Sequence, residues 1–320
     1  MRLWTAWVRI WSAREAPSVL AIVRILVAAV VLFDLLSLVH LDLISALFAP
    51  LEDGGLGNPL GRKNVPLLYQ WFAPDASTAV TVVWLGIVAA AMLLLGAATP
   101  VAAITVVVVT SQLAAVLPPA DRGIDMLLRN VLVILALSGC GKTWSIDARV
   151  RTGAWAGTGQ TVPSWPRLLL VCQMFLVYGT AGVQKVGLTW LPMGDWSALY
   201  IVLRDPAFAV LSKATLDRFY VLTQLGTAMT WAWEWATPLA ALAWWYRATR
   251  TRGGWLRAWM NSHGFWCKWV VVGAAFHLGT ILTMRLGIFP FAMLAIYPCF
   301  FHPHTWATLW PRRKSPPVSG

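Results

Sequence analysis

The fold is decided by one stretch of the chain, SVLAIVRILVAAVVLFDLLSLVH, which occupies residues 18–40. It contains two charged side chains, Arg24 and Asp34, in an otherwise apolar run. An α-helix needs about 20 mainly apolar residues to cross about 30 Å of hydrocarbon. The run is too long for the apolar part of a signal peptide, and no clear cleavage site follows it. We therefore predict that it is an uncleaved transmembrane helix.

The composition extends this prediction to the whole chain of 320 residues. Hydrophobic residues make up 58% and charged residues 12%, and the mean hydropathy is +0.66. Soluble domains have about 45–50% apolar and about 25% charged residues. A water-soluble protein is therefore excluded.

The charges and cysteines exclude further classes of partner. The net charge of +12 comes from basic residues in the gaps between apolar runs, not from a Lys/Arg-rich face with interleaved aromatics, so we expect no nucleic acid partner. The four cysteines are far apart and show no ligand spacing. We expect neither a disulfide framework nor a metal site.

Further apolar runs follow one another with short connections. They predict an all-α, polytopic transmembrane bundle of about eight spans, at 18–40, 77–97, 100–118, 124–141, 165–188, 220–246, 265–285 and 287–306. The second and third spans are joined by Ala98-Thr99-Pro100, which predicts a tight hairpin. Pro290 and Pro298 interrupt the last span.

The positions of lysine and arginine predict that both termini are cytoplasmic. In that orientation 15 of the 25 basic residues lie in cytoplasmic segments and 7 in outer segments, as the positive-inside rule requires. Residues 1–16 place Trp4, Trp7 and Trp11 on one helical face, which predicts an amphipathic helix on the cytoplasmic surface. The membrane domain would cover residues 17–306, and a basic, Pro-rich cytoplasmic tail would cover 307–320.

Ionisable residues inside the predicted spans are the strongest indication of a site. They are Arg24, Asp34, Asp125, Arg129, Lys185 and Glu234. Each would cost about 2.5–3.5 kcal/mol if it faced lipid at mid-bilayer. Because the charges balance, we expect these side chains to pair, and most of them to line one polar cavity that is open to the outside.

Each of these residues also has a purely structural interpretation. Arg24 and Asp34 would then bridge helices, and Glu234 would hydrogen-bond a neighbouring helix. Asp125 would cap the fourth helix with Arg129 as its i+4 partner. Lys185 would extend to the outer interface. His277, in the apolar run Ala-Phe-His-Leu-Gly, is as consistent with a hydrogen-bonded core histidine as with a functional one.

The segment YGTAGVQK, residues 178–185, followed by Trp190 and Gly194, resembles a signature of the HTTM family. This family is the membrane domain shared by vitamin K-dependent gamma-glutamyl carboxylases and many bacterial proteins. Weaker agreement is found in GIDMLLR at 123–129, in WSID at 144–147 and in Glu234 before Pro238.

The resemblance implies a bacterial inner-membrane protein that acts as a carbon–carbon lyase on a secreted peptide. Lys185 would be the base that deprotonates a reduced quinone, vitamin K or menaquinol. Lys185, His277 and Glu234 are the implied catalytic residues, Arg129, Tyr178 and Trp190 the cofactor-binding residues, and Arg24, Asp34 and Asp125 structural charges.

The proposed role of Lys185 places a condition on its surroundings. A base must be a neutral amine, which an ordinary lysine provides in less than about 0.1% of molecules at pH 7. We therefore expect desolvation or a nearby cation such as Arg129 around it.

A second interpretation comes from small members of the same family. SdpB-type sporulation-delaying proteins resemble this chain in length and act in the maturation of a secreted peptide. The chain would then be a non-enzymatic membrane factor for maturation, export or immunity, working with a partner membrane protein or a secreted peptide. Gln184, where the carboxylases have lysine, departs from the enzymatic pattern. A transporter is disfavoured because no inverted repeat is apparent.

Overall fold

A computed structural model of the chain describes residues 2–57 and 66–305. The chain is almost entirely helical there, which confirms the all-α prediction. The predicted cytoplasmic tail at 307–320 lies outside the described residues. The α-helices are α1 (Arg2–Ser12), α2 (Ser18–His40), α3 (Leu43–Phe48), α4 (Leu68–Trp71), α5 (Ala76–Leu95), α6 (Thr99–Val116), α7 (Gly123–Ser138), α8 (Ile146–Thr152), α9 (Trp165–Gln184), α10 (Ala198–Arg204), α11 (Lys213–Arg218), α12 (Tyr220–Trp235), α13 (Thr237–Ala248), α14 (Trp255–Ser262), α15 (Phe265–Thr283) and α16 (Phe289–Ile296).

Five stretches within the described residues are long and apolar enough to cross a membrane. They are Ser18–His40, Ala76–Leu95, Thr99–Val116, Trp165–Gln184 and Trp255–Thr283. The other three predicted spans are helical but shorter. Helix α7 has 16 residues, α12 and α13 are separated at Ala236, and α16 has 8 residues. The chain is therefore a membrane protein by length and composition of its helices, and the count of eight remains a prediction.

The chain divides into two compact units, which are described separately. The N-terminal unit contains Trp11–Arg167 together with the segment from Pro298 onward. The C-terminal unit contains Met1–Ile10 and Leu168–Tyr297. Helix α9 begins in the first unit and continues into the second.

In the N-terminal unit, α2, α5, α6 and α7 pack side by side. Asp75 caps the start of α5 by accepting a hydrogen bond of 2.8 Å from the backbone of Thr78. Gly96 ends the same helix with φ of 71°, a left-handed conformation that suits glycine. Helix α6 starts at Thr99, so the predicted tight hairpin between the second and third spans is confirmed.

Two short strands lie near the start and the end of the segment Trp11–Arg167 of the same unit. Strand β1 (Arg14–Glu15) pairs antiparallel with β2 (Val162–Pro163). Next to them the buried guanidinium of Arg167 contacts the carboxylate of Glu15 at 2.8 Å and donates to the carbonyl of Cys299 at 3.2 Å. This ion pair ties the chain before α2 to the start of α9.

In the C-terminal unit, α12 is the element that matters most for the site. It ends at Trp235, and α13 restarts at Thr237 with Pro238 in its first turn. Proline has no backbone N–H, so the carbonyl of Glu234 cannot receive the usual hydrogen bond from four residues onward. The helix therefore ends at Trp235, one residue after Glu234. Helices α12 and α13 both pack against α15, and α15 packs against α16.

Candidate functional site

The centre of the candidate site is an ion pair between Lys185 and Glu234. Lys185 follows the last residue of α9, and its Nζ lies 2.5 Å from Oε2 of Glu234 near the end of α12. The Glu234 side chain is 6% exposed and the Lys185 side chain 19%. The pair is therefore shielded on the glutamate side and partly accessible on the lysine side.

Trp190 and the end of α9 complete the surroundings of the ammonium group. Nζ of Lys185 lies 5.1 Å from the centre of the Trp190 ring, within the range of a cation–π contact. It also donates a long hydrogen bond of 3.4 Å to the carbonyl of Ala181. Lys185 thus folds back onto its own helix and onto Glu234 instead of simply extending away.

Glycine at position 182 allows this contact between helices. A Cβ atom at Gly182 would lie 3.1 Å from both the carbonyl carbon and the Cβ of Glu234, closer than most real side chains come. Tyr178, Gly182 and Lys185 are spaced four and three residues apart, so they share one face of the helical segment. The glycine of the signature segment is the place where α9 meets α12, and this brings Lys185 to Glu234.

A second group of polar side chains lies on the same face of α9. The hydroxyl of Tyr178 is 2.7 Å from Nε2 of His277 and 2.9 Å from the hydroxyl of Tyr297. All three side chains are buried, and His277 is fully so. Within the described part of the chain, Nδ1 of His277 has no hydrogen-bond partner.

Two tryptophans link the two groups. Trp233 precedes Glu234 on α12, and its indole N–H donates to the carbonyl of Trp269 at 2.9 Å. The indole N–H of Trp269 donates in return to the carbonyl of Trp233 at 3.0 Å. The ring of Trp233 also meets that of Tyr178 edge-on at 4.6 Å. The indole hydrogen bonds fix α12 against α15, and the ring contact with Tyr178 holds this part of α12 beside α9.

This arrangement has a definite chemical capacity. The buried carboxylate of Glu234 fixes the position of Nζ, and the lysine side of the pair stays partly accessible. The partly exposed Nζ is the atom that a substrate hydroxyl would reach.

The remaining predicted charges lie in the N-terminal unit and form separate contacts there. The guanidinium of Arg24 donates to the carbonyl of Cys140 at 3.3 Å and to that of Trp144 at 2.5 Å. Arg122 joins Asp34 at 2.7 Å and Asp125 at 2.8 Å. The contacts of Arg24 and Asp34 connect α2 to the segments that follow and precede α7, and the contact of Arg122 with Asp125 lies at the start of α7 itself.

One interpretation of these charges is wrong. Arg129 does not take Asp125 as its i+4 partner, because its guanidinium donates two hydrogen bonds of 2.9 and 2.8 Å to Asp121. Asp125 accepts instead from the backbone of Arg122 at 2.9 Å, which places it in the third position of α7 rather than at the N-cap. Arg129 is engaged by Asp121, and the group in contact with Nζ of Lys185 is the carboxylate of Glu234, not the expected cation.

The predicted site residues therefore fall into distinct groups. Lys185, Glu234 and Trp190 are in mutual proximity around Nζ, and Tyr178 and His277 are hydrogen-bonded to each other. Sequence reasoning did not single out Tyr297, Trp233 or Trp269. A tyrosine hydroxyl or an indole N–H in an apolar run needs a partner when it is buried, and this signal was available for all three. The described residues contain no group of three His, Cys, Asp or Glu placed to hold a metal ion.

Comparison with known proteins gives one match. Residues 13–229 match the model of the HTTM domain. The match includes Lys185, Trp190 and Tyr178 but ends before Glu234 and His277. No curated protein and no solved structure matches the chain.

Proposed function

Since this chain belongs to the HTTM family, we propose that it is a multi-pass protein of a bacterial inner membrane and carries a general-base site. In this proposal Lys185 deprotonates a reduced quinone, and the reaction modifies glutamate side chains of a secreted peptide, as in the vitamin K-dependent carboxylases. The single observation that supports a functional amine at this position is the partly exposed Nζ, which is fixed by its contact with Oε2 of Glu234 at 2.5 Å. For Lys185 to act as a base, its ammonium proton must first pass to Glu234.

The side chains near Lys185 suit a quinol. A flat ring finds an aromatic surface in Trp190, which lies beside Nζ. An isoprenoid tail finds apolar, exposed neighbours in Val186 and Leu188. A bound quinol would supply a weakly acidic hydroxyl and reducing electrons. Lys185 would accept the hydroxyl proton, and Glu234 would hold the proton that the ammonium form gives up.

The fixed position of Glu234 supports the same role. A base is effective when the group that receives its proton stays within hydrogen-bond reach. Glu234 is held by the contact of Gly182 with its backbone and by the paired indoles of Trp233 and Trp269. The site needs no rearrangement of α12 to exchange a proton with Lys185.

A second candidate function is a non-enzymatic membrane factor for maturation, export or immunity of a secreted peptide. The observation in its favour is that Lys185 and Glu234 already satisfy each other in an ion pair, as a purely structural pair would. The two functions differ in what they require of the lysine. A base needs an amine at position 185, whereas a factor needs only a stable fold.

An activity assay tests the proposal. The purified full-length protein is given reduced menaquinone or reduced vitamin K, oxygen, carbon dioxide and glutamyl peptides, and quinone epoxide and carboxylated peptide are measured. We expect both products from the native chain and neither from Lys185→Ala. The exposed Lys213 on α11 offers a matched control, since Lys213→Ala removes the same side chain away from Glu234.

Two results would reject the enzymatic form. The first is no epoxide and no carboxylated peptide from well-folded native protein with either quinol. The second is equal turnover by the native chain and by Lys185→Ala. A biological phenotype that survives Lys185→Ala but is lost on deletion of the protein would support the non-enzymatic factor instead.

A further inference from the structure

One surface of the C-terminal unit combines basic and aromatic side chains. It consists of Trp4 on α1, Arg247 in the last turn of α13, Arg250 just after that helix, Trp255 and Trp259 on α14, and Lys268 in the first turn of α15, all of them exposed. We refer to these six residues as the basic aromatic surface. It includes neither Lys185 nor Glu234 and plays no part in the function proposed above.

Several contacts hold the elements of this surface together. The rings of Trp7 and Trp245 approach to 6.1 Å, which places α1 against α13. The guanidinium of Arg257 lies 4.7 Å from the ring of Tyr246, and the amide of Asn261 donates to the carbonyl of Tyr246 at 3.2 Å. Helix α14 is thereby fixed beside the end of α13, and Lys268 follows directly in α15.

The charge of the surface has one sign only. No Asp or Glu precedes Glu15 in the sequence, and none follows Glu234. The segments that build the surface therefore bring their own cations without any acidic residue to neutralise them. Such a surface attracts anions from outside the segment.

The aromatic residues identify the kind of anion. Trp255 is 80% exposed and Trp4 is 70% exposed, although burying an indole against an apolar phase is favourable. Exposed tryptophans between basic residues are typical of the level where lipid headgroups meet hydrocarbon. Helix α14 lies at one end of the apolar stretch Trp255–Thr283, which is long enough to cross a membrane. When α15 spans the membrane, α14 therefore lies at the level of the headgroups.

We propose that the basic aromatic surface binds anionic phospholipid headgroups, with the arginines and lysine on the phosphates and the indoles between the acyl chains. Each basic side chain near a membrane surface contributes about 1 kcal/mol of attraction to anionic lipid. Three of them acting together give a preference of about a hundredfold over an uncharged headgroup.

Lipid retention measures this preference. The full chain is purified in detergent, mixed with equal amounts of phosphatidylglycerol and phosphatidylcholine, and the lipids that remain bound are counted by native mass spectrometry. We expect phosphatidylglycerol to be retained in large excess. The variant Arg247→Gln/Arg250→Gln/Lys268→Gln should lose at least about tenfold of that excess.

A matched variant separates this surface from general charge. Lys213→Gln/Arg218→Gln/Arg285→Gln removes the same three charges from exposed positions elsewhere in the unit and should retain the native preference. Inorganic phosphate added in excess should not displace the lipid, because it lacks the acyl chains that the indoles contact. The proposal is wrong if the two headgroups are retained equally, if both triple variants lose the preference alike, or if free phosphate displaces the lipid completely.

Discussion

Gly182 lies against Glu234 so closely that even a methyl group at position 182 would come 3.1 Å from the glutamate carbonyl carbon. The contact joins α9 to α12 at the level of the ion pair. It makes the small residue of the signature segment a requirement of packing, because a larger side chain would push Glu234 away from Lys185.

We expect Gly182→Ala to lower the stability of the protein by up to about 2 kcal/mol, since an overpacked contact costs about 1–3 kcal/mol and the gain in helix propensity offsets about 1 kcal/mol. Gly279 is a matched control because it also lies inside a helix and a Cβ there meets nothing within 4 Å. Gly279→Ala should leave the protein as stable or more stable. Thermal unfolding of the detergent-purified chains provides the comparison, and equal effects of the two substitutions would contradict the packing argument.

We expect substitutions of Lys185 and Glu234 to have non-additive effects on stability. Lys185→Met leaves a carboxylate in a largely buried position without its cation, and Glu234→Gln leaves the lysine without its anion. Removing one partner of a buried pair is strongly destabilising, whereas removing both is much less so. We expect the double variant to be more stable than the sum of the single effects by at least about 1 kcal/mol. Denaturation of all four proteins in one detergent measures the coupling, and additive losses would show that the two groups do not interact.

The Glu15 and Arg167 pair in the N-terminal unit offers a contrast between buried and exposed ion pairs. Their side chains are 3% and 7% exposed, so Arg167→Gln should cost about 3–5 kcal/mol. The side chains of Arg122 and Asp34 are more exposed, at 45% and 29%, and Arg122 keeps Asp125 as a second partner, so Asp34→Asn should cost less than about 1 kcal/mol. The two variants are compared by their melting temperatures. A similar, small shift for both would mean that the buried pair contributes nothing to the fold.

We expect the hydrogen bonds of Asp147 to make the free energy of unfolding depend on pH. Its carboxylate accepts from the backbone N–H groups of Ala98 and Thr99 at 2.8 and 2.9 Å, and so caps the start of α6. Burial alone would raise the pKa of Asp147, but the hydrogen bonds from the Thr99 hydroxyl and from these backbone groups hold the pKa below its ordinary value. Its contribution to stability is therefore complete above about pH 4, the ordinary value of an aspartate, and is lost as the pH falls through the lowered pKa.

The variant Asp147→Asn isolates this contribution. It should lower the free energy of unfolding by about 1 kcal/mol near neutral pH, as for loss of a helix cap. The difference between native and variant chains should shrink as the pH falls below about 4. A difference that stays constant from neutral to acidic pH would show that the charge of Asp147 is not what stabilises the cap.

The helices of the fold could be predicted from the sequence because exposing polar groups to lipid is costly, so membrane-spanning segments are apolar runs. The run at 18–40 and the hairpin around Ala98 were predicted with nearly the observed bounds. The interruption at Ala236 was less accessible, since the predicted span at 220–246 is apolar on both sides of Pro238. Hydropathy reflects the free energy of transferring side chains into lipid. This free energy is almost the same for a broken helix as for a continuous one, so hydropathy does not show the interruption.

The pairing of charges was harder to predict than their presence. Asp125 lies one helical turn before Arg129, yet Arg129 contacts Asp121. Asp121 precedes the helix, so its distance from Arg129 depends on the path of the backbone before α7 and not on helical spacing. Lys185 and Glu234 were both recognised as candidate site residues, but their separation of 49 positions leaves their contact to the packing of α9 on α12. Tyr297 was missed because a single hydroxyl in an apolar run does not indicate which helix supplies its partner.

The manner in which Arg24 is satisfied has a consequence for related sequences. Its guanidinium donates to the carbonyls of Cys140 and Trp144, which belong to the main chain. Every amino acid supplies a carbonyl, so a substitution at 140 or 144 that keeps the backbone in place leaves the arginine its acceptors. Gly96 is the position without this freedom, because a Cβ there would lie 2.6 Å from Nη1 of Arg24. Among sequences that retain an arginine at position 24, a glycine should therefore accompany it at position 96.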